Sequence, residues 1–212
     1  MTDWNTLFKT GLALFAIVNP IGSVPIFITA TSGSTKAERT RIVRMVVLTV
    51  FLVLTFSIFL GDRLLDFFGI SIPSFQTGGG ILLLLMAISM MHAKQSGIRQ
   101  TDEEAQAAAE REAIAIVPLS IPLLAGPGAI SSMIIAAQQS MGFWGHVQLL
   151  APVTVVALLV WGILLLSGSI ARHLGTIGIN IFTRLMGLIL AAMAVEFIAH
   201  GLLGLFPTLA KG

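Results

Sequence analysis

Two prolines five residues apart, Pro20 and Pro25, interrupt an apolar run that stretches from Leu7 to Ala30, and Asn19, Gly22 and Ser23 stand beside them. Proline lacks an N–H and crowds the preceding turn, while glycine leaves helical geometry at little steric cost, so this run should break near its middle. A break frees backbone carbonyls and amides, and Asn19 adds a side-chain donor and acceptor at the same depth. Such groups can hold a small polar solute, since exposed amides suit carboxylates and exposed carbonyls suit cations. The alternative is a kink that shapes packing, with Asn19 tying the unwound segment together. A second apolar run carries Pro118, Ser120 and Pro122, then Gly126, Pro127 and Gly128. Ser23, Ser120, Ser131 and Ser132 add hydroxyls, which in apolar helices commonly bond their own backbone.

Three ionisable residues fall in the last apolar run. Glu196 and His200 are four apart, on one helix face, where a carboxylate and an imidazole can hydrogen-bond. At membrane depth such a pair suits proton transfer; a packing pair near the outer interface is the competing account. Arg184 either extends toward lipid phosphates or faces inward as counter-charge to a substrate carboxylate. The four histidines show no metal-ligand spacing, and no phosphate loop, nucleophile elbow or catalytic triad is present. No catalytic residue, metal or cofactor is therefore expected. Without cysteine there is neither a disulfide nor thiolate chemistry.

The elements that position these residues follow from composition. Of 212 residues, 56% are hydrophobic and 10% charged, with a mean hydropathy of +0.95. A soluble domain carries roughly a quarter charged residues, so this chain cannot cover itself with a water-facing surface. It reads as an all-α integral membrane protein. A net charge of +2, with basic residues scattered between apolar runs, gives no footprint for nucleic acid. Asp3 and Trp4 occupy the place of a signal peptide's basic region, so residues from Leu7 onward are expected as mature structure.

Crossing a hydrocarbon core takes about 20 apolar residues. Six runs qualify: 7–30, 42–60, 74–91, 113–137, 149–167 and 181–205. They are continuously apolar, unlike the alternating strands of a barrel. Trp4, Trp144 and Trp161 are candidates for the interfaces. Lys36, Arg39, Arg41, Arg44, Lys94, Arg99, Arg111 and Arg172 follow odd-numbered spans, whereas only Lys9, Arg63 and Lys211 lie on the other side. The positive-inside rule then puts both termini outside the cytoplasm. Residues 92–112 form the one substantial hydrophilic stretch, a cytoplasmic linker with a short helix capped by Thr101 and Glu104.

The halves 7–91 and 113–205 align without gaps at an offset of 107 residues, pairing Pro20 with Pro127, Gly61 with Gly168 and Gly80 with Gly187. A repeat of three spans enters the membrane from opposite sides in its two copies. The expected architecture is thus a single membrane domain, residues 1–212, of two inverted three-helix repeats with broken helices 1 and 4. Substrate sites in such proteins lie where broken helices meet near the midplane. Gly78, Gly79, Gly80 and Gly187 would let helices three and six approach closely.

The segments Asn19-Pro20-Ile21-Gly22 and Ile121-Pro122-Leu123-Leu124-Ala125-Gly126-Pro127-Gly128-Ala129-Ile130 resemble the paired signatures of the MarC family. The sequence Arg184-Leu185-Met186-Gly187 at the start of the last span is similar too, and the likeness covers essentially the whole chain. It implies a bacterial inner-membrane protein, kin to small neutral amino-acid transporters. Asn19, Pro20, Gly22, Gly126, Pro127, Gly128 and Arg184 carry over as motif positions, without individual roles. The leading expectation is a secondary transporter of alanine- or glycine-like amino acids, coupled to protons or sodium and working by alternating access. A passive channel for small solutes and a non-transporting scaffold or stress-related membrane protein are the alternatives.

Overall fold

The computed structural model describes residues 4–31, 33–92, 124–140 and 142–208. Among them are seven α-helices: α1 (Trp4–Val18), α2 (Val24–Ala30), α3 (Lys36–Phe67), α4 (Ile72–Met91), α5 (Pro127–Gln139), α6 (Gly142–Leu165) and α7 (Ser167–Leu205). No strand occurs among the described residues. Four of the helices, α3, α4, α6 and α7, are long and apolar enough to cross a membrane, and α1 is a shorter apolar helix. The expected linker helix at Thr101, along with Pro118, Ser120 and Pro122, lies outside the described residues.

Local chemistry sets the boundaries. Thr35 begins α3 as a capping box: its hydroxyl accepts from Glu38 N at 3.3 Å, and the Glu38 carboxylate accepts from Thr35 N at 2.7 Å. The helix ends where Gly69 turns to φ +66 and Ile70 N donates back to Leu65 O. Ser71 then caps α4 by accepting from Ser74 N, with Pro73 in the first turn, where a missing N–H costs nothing.

One face of each long helix is buried. Along α3 these residues are Val43, Val46, Val50, Leu54, Ser57, Ile58, Gly61 and Leu65, spaced three and four apart. They pack against α5 and α6, while α1 lies against α6, and α4 runs along α7. The opposite face is equally apolar and open. Leu48, Leu52, Phe56 and Leu60 are 41–58% exposed, as are Val155 and Leu158 of α6 at 55% and 57%. Water does not tolerate apolar faces of this extent, but lipid does. Trp4 and Trp144 are exposed near the starts of their helices, and Trp161 is exposed in the body of α6.

The last helix departs from its expected bounds. Residues 168–180 carry enough Ser, Gly and polar groups to fall below the hydropathy of a span, yet they are helical on both sides of Gly175. The main chain breaks at Leu166, whose φ/ψ of −87/4 separates α6 from α7, and again at Gly175, at φ +59 and ψ −179. Serine and glycine lower hydropathy without preventing helix when both ends of a segment are held by packing.

Glycines set how closely the helices approach. A Cβ on Gly80 would lie 2.9 Å from Ile198 N and 3.0 Å from Ala194 O, and one on Gly187 would lie 3.1 Å from Ala87 O. With Gly201, whose Cβ would lie 2.8 Å from Pro73 O and from Thr77 N, the backbones of α4 and α7 touch at three places. A Cβ on Gly61 would overlap Ile134, which lets α5 seat against α3.

Candidate functional site

The first apolar run breaks as its prolines require. Helix α1 stops at Val18, α2 begins at Val24, and the five residues between make one irregular turn. Asn19 sits at φ 44, in the left-handed region, which asparagine enters more readily than most residues. Its main-chain N donates to Phe15 O at 2.9 Å, closing the last turn of α1, and Pro20 then has no N–H to continue. The Asn19 side chain folds over the turn, its Oδ1 accepting from Gly22 N at 3.3 Å. Ser23 O–H donates to Pro20 O at 2.7 Å, and Ser23 N donates to Asn19 O, so this hydroxyl bonds its own backbone. Asn19, Pro20 and Ser23 are buried and Gly22 is half-buried.

One donor is left over. Asn19 Nδ2 is buried and has no hydrogen-bond partner among the described residues, a state it shares with Arg39 Nε, Thr55 Oγ1 and Asp62 Oδ1. An unpaired buried amide costs about 1–3 kcal/mol, so a ligand that accepts from it would be bound with that much to gain. Nothing in composition or spacing distinguished this nitrogen from a satisfied one.

The start of α5 adjoins this turn. Gly126, in extended conformation, precedes α5, whose first residue is Pro127; Ala129 N and Ile130 N both donate to Gly126 O. Gly126 and Gly128 are buried and Pro127 is exposed. A Cβ on Gly128 would meet Leu83 Cδ2 at 2.5 Å and Ile17 Cγ2 at 3.4 Å, so the first turn of α5 lies against α4 and against the last turn of α1. Ser131 and Ser132 are buried one turn further on, with Ser131 Cβ 2.9 Å from where a Cβ on Gly79 would stand. Asn19, Pro20, Gly22 and Ser23 thus form one turn, and Gly126, Pro127 and Gly128 start the helix that leans on it.

Arg184, Glu196 and His200 are not drawn into this cluster. All three are exposed on α7. His200 Nδ1 lies 3.0 Å from the main-chain oxygen of Glu196, so the ring engages the helix backbone rather than the carboxylate. No group of three or more His, Cys, Asp or Glu side chains that could hold a metal stands together among the described residues.

Two further groups escaped sequence analysis. Thr183, next to Arg184 in the chain, points its hydroxyl at Gly22: a Cβ on that glycine would lie 3.0 Å from Thr183 Oγ1. Arg39, read only as one more cation flanking a span, is half-buried at the start of α3. Its Nη2 donates to Ser167 Oγ at 2.6 Å, and its guanidinium lies 5.0 Å from the centre of the Phe27 ring. Arg39 so joins α2, α3 and the α6–α7 junction. Arg39→Ala should cost about 2 kcal/mol from the cation–π contact and the charged hydrogen bond together. Thermal unfolding of the purified protein should show the drop, and Arg39→Lys should recover only part of it, since one ammonium cannot both stack and reach Ser167.

Known proteins resemble this chain along its whole length. The family model described as MarC family integral membrane protein matches residues 4–206. The UPF0056 membrane protein YhcE of Escherichia coli K12 is 42% identical over 207 residues, 98% of this chain and 96% of its own. A UPF0056 membrane protein of Aquifex aeolicus is 36% identical over 203 residues, 95% of each chain. YvbG of Bacillus subtilis, also a UPF0056 membrane protein, is 36% identical over 199 residues, 93% of this chain and 94% of its own. No solved structure matches. A two-part signature, an apolar outer surface and these full-length likenesses agree: the chain belongs to the MarC family of integral membrane proteins.

Proposed function

We propose that this protein is a secondary carrier of small neutral amino acids, alanine or glycine in size, in which two inverted three-helix repeats move around the paired breaks. The observation that carries this reading is the buried, unpaired amide of Asn19 in a broken helix that abuts the start of α5. Irregular backbone is stable at membrane depth only inside protein or along a polar cavity. A zwitterion offers such a site both a carboxylate for the spare donors and an ammonium for freed carbonyls.

The packing supports the repeat. Under the 107-residue offset Gly80 pairs with Gly187, Ala87 with Ala194 and Met91 with Ile198. Gly80 lies against Ala194 and Ile198, and Gly187 against Ala87 and Met91, so the offset exchanges one contact set for the other. Gly69, shortly before α4, and Gly175, one residue before the Thr176 that pairs with Gly69 under the offset, both have positive φ. On this reading the bilayer is the bacterial inner membrane with both termini periplasmic, and the exposed Glu196 and His200 are the groups placed to couple flux to protons.

The test is uptake of radiolabelled alanine and glycine into proteoliposomes, with a counterflow arm. A carrier gives saturable uptake and accelerated exchange when the lumen is preloaded with unlabelled alanine. Linear uptake without exchange would establish the channel, and flat traces from folded protein would remove amino-acid transport. Glu196→Gln should leave exchange within about twofold of wild type and flatten the response to an imposed pH gradient; an unchanged response would remove Glu196 from coupling.

A further inference from the structure

Five threonines in or beside the helices spend their hydroxyls on the carbonyl four residues back: Thr29 on Pro25, Thr31 on Phe27, Thr40 on Lys36, Thr77 on Pro73 and Thr154 on Leu150. This is the ordinary fate of a threonine in an apolar helix. Thr183 does not follow it, and neither does Thr55, whose buried Oγ1 also has no partner among the described residues. The Thr183 hydroxyl makes no hydrogen bond among the described residues and faces the turn at Gly22, where Asn19 Nδ2 also has no partner. Two donors from different parts of the chain therefore stand beside Gly22, and Asn19 Nδ2 itself takes the place a Cβ would fill. A Cβ there would overlap Asn19 Nδ2 and stand 3.0 Å from Thr183 Oγ1.

We infer that Asn19 Nδ2 and Thr183 Oγ1 together receive one carboxylate oxygen of the ligand, in a slot beside Gly22. Two donors that share an acceptor at roughly 2.9 Å each can stand up to about 6 Å apart, and the Cβ geometry at Gly22 holds these two closer than that. Asn19 is 1% exposed and its Oδ1 is already committed to Gly22 N, so the amide is held with its hydrogens facing the gap. Both groups are neutral donors, which favours an anionic oxygen over a cation. Thr183 lies on α7 and Asn19 between α1 and α2, so an oxygen in the slot joins the first broken helix to the last one. The inference rests on the carrier reading and names which end of the amino acid the first break receives.

Binding to purified, full-length protein tests it, with alanine, alaninamide and lactate as probes. Alaninamide keeps the ammonium and loses the carboxylate; lactate does the reverse. Alaninamide should bind at least tenfold more weakly than alanine. Thr183→Val, which keeps the shape and removes the donor, should raise the Kd for alanine about tenfold, the worth of one hydrogen bond to a charged group. Thr183→Ser should stay within about twofold of wild type, and unchanged thermal midpoints should show that both variants are folded. Equal alanine affinity in wild type and Thr183→Val overturns the slot and leaves the carrier standing. Lactate binding that depends on Thr183, without alanine binding, supports the slot and removes the neutral amino acid. If folded wild type binds none of the carboxylates, the slot falls, whatever other solutes cross the membrane.

Discussion

Asn19→Gly should give a folded protein with at least a hundredfold less saturable alanine uptake. The substitution separates backbone from side chain. Asn19 holds φ 44, which costs an ordinary residue about 1 kcal/mol or more and costs glycine nothing. Removing the side chain gives up one hydrogen bond, from Gly22 N, worth about 1 kcal/mol. It also removes a buried donor without a partner, which offsets a loss of similar size. Thermal stability should thus move by no more than about 1 kcal/mol in either direction while transport collapses. Asn19→Ala is the poorer probe, because alanine keeps the strain and loses the amide. If Asn19→Gly takes up alanine at the wild-type rate, Asn19 holds the turn together and the substrate binds elsewhere.

Gly80→Leu should abolish the yield of folded protein, or lower stability by more than about 3 kcal/mol where any folds. Its Cβ alone would stand 2.8 Å from Ile198 Cγ1, 2.9 Å from Ile198 N and 3.0 Å from Ala194 O, and two of those atoms are main chain, which cannot turn aside. Helices α4 and α7 would have to separate, and their contact is the most extensive among the described residues. Two residues away, Gly78 has nothing within 4 Å of its Cβ position, so Gly78→Leu should fold as well as wild type. Monodispersity and thermal midpoint in detergent compare the two. Equal behaviour of the variants would show that α4 and α7 do not need this approach. Gly187→Leu should repeat the failure of Gly80→Leu, since it meets Ala87 O and Met90 in the same manner.

The parts of this arrangement that were legible in the sequence are those where one residue type dictates backbone behaviour. Pro20, Pro25 and Gly22 announce a break whatever surrounds them, and the structure breaks there. Gly80 and Gly187 announce close approach because small residues are how helices touch in lipid. Side-chain hydrogen bonding was not legible. Thr183 in an apolar run predicts a hydroxyl bonded to its own helix, and only the position of Gly22, more than 150 residues away in the chain, explains why it faces elsewhere. Arg39 counted as a topological charge, because its partners Phe27 and Ser167 come from two other parts of the fold. The four-residue spacing of Glu196 and His200 placed them correctly on one face but could not show that the imidazole would choose the main-chain oxygen. Hydropathy missed the helical stretch after Leu166 because it measures affinity for lipid, whereas helix formation depends on local hydrogen bonding and neighbours.

The 32 residues of α3 extend about 48 Å at roughly 1.5 Å per residue, while the 20 of α4 reach only about 30 Å, the depth of a typical hydrocarbon layer. Two consecutive helices of such different length cannot both match one bilayer end to end. Asp62, Arg63 and Asp66 mark the surplus at the far end of α3, and at its first turns Lys36, Arg39, Arg41 and Arg44 put four cations within nine residues. An overhang of that composition belongs among lipid phosphates, and anionic headgroups should anchor it. Because Arg39 ties the same turns to α2 and to the α6–α7 junction, bilayer thickness and headgroup charge would bear directly on the elements that bracket Asn19. The protein would then be tuned by the lipid in which it sits, working best where the acyl layer matches α4 and the surface is negative.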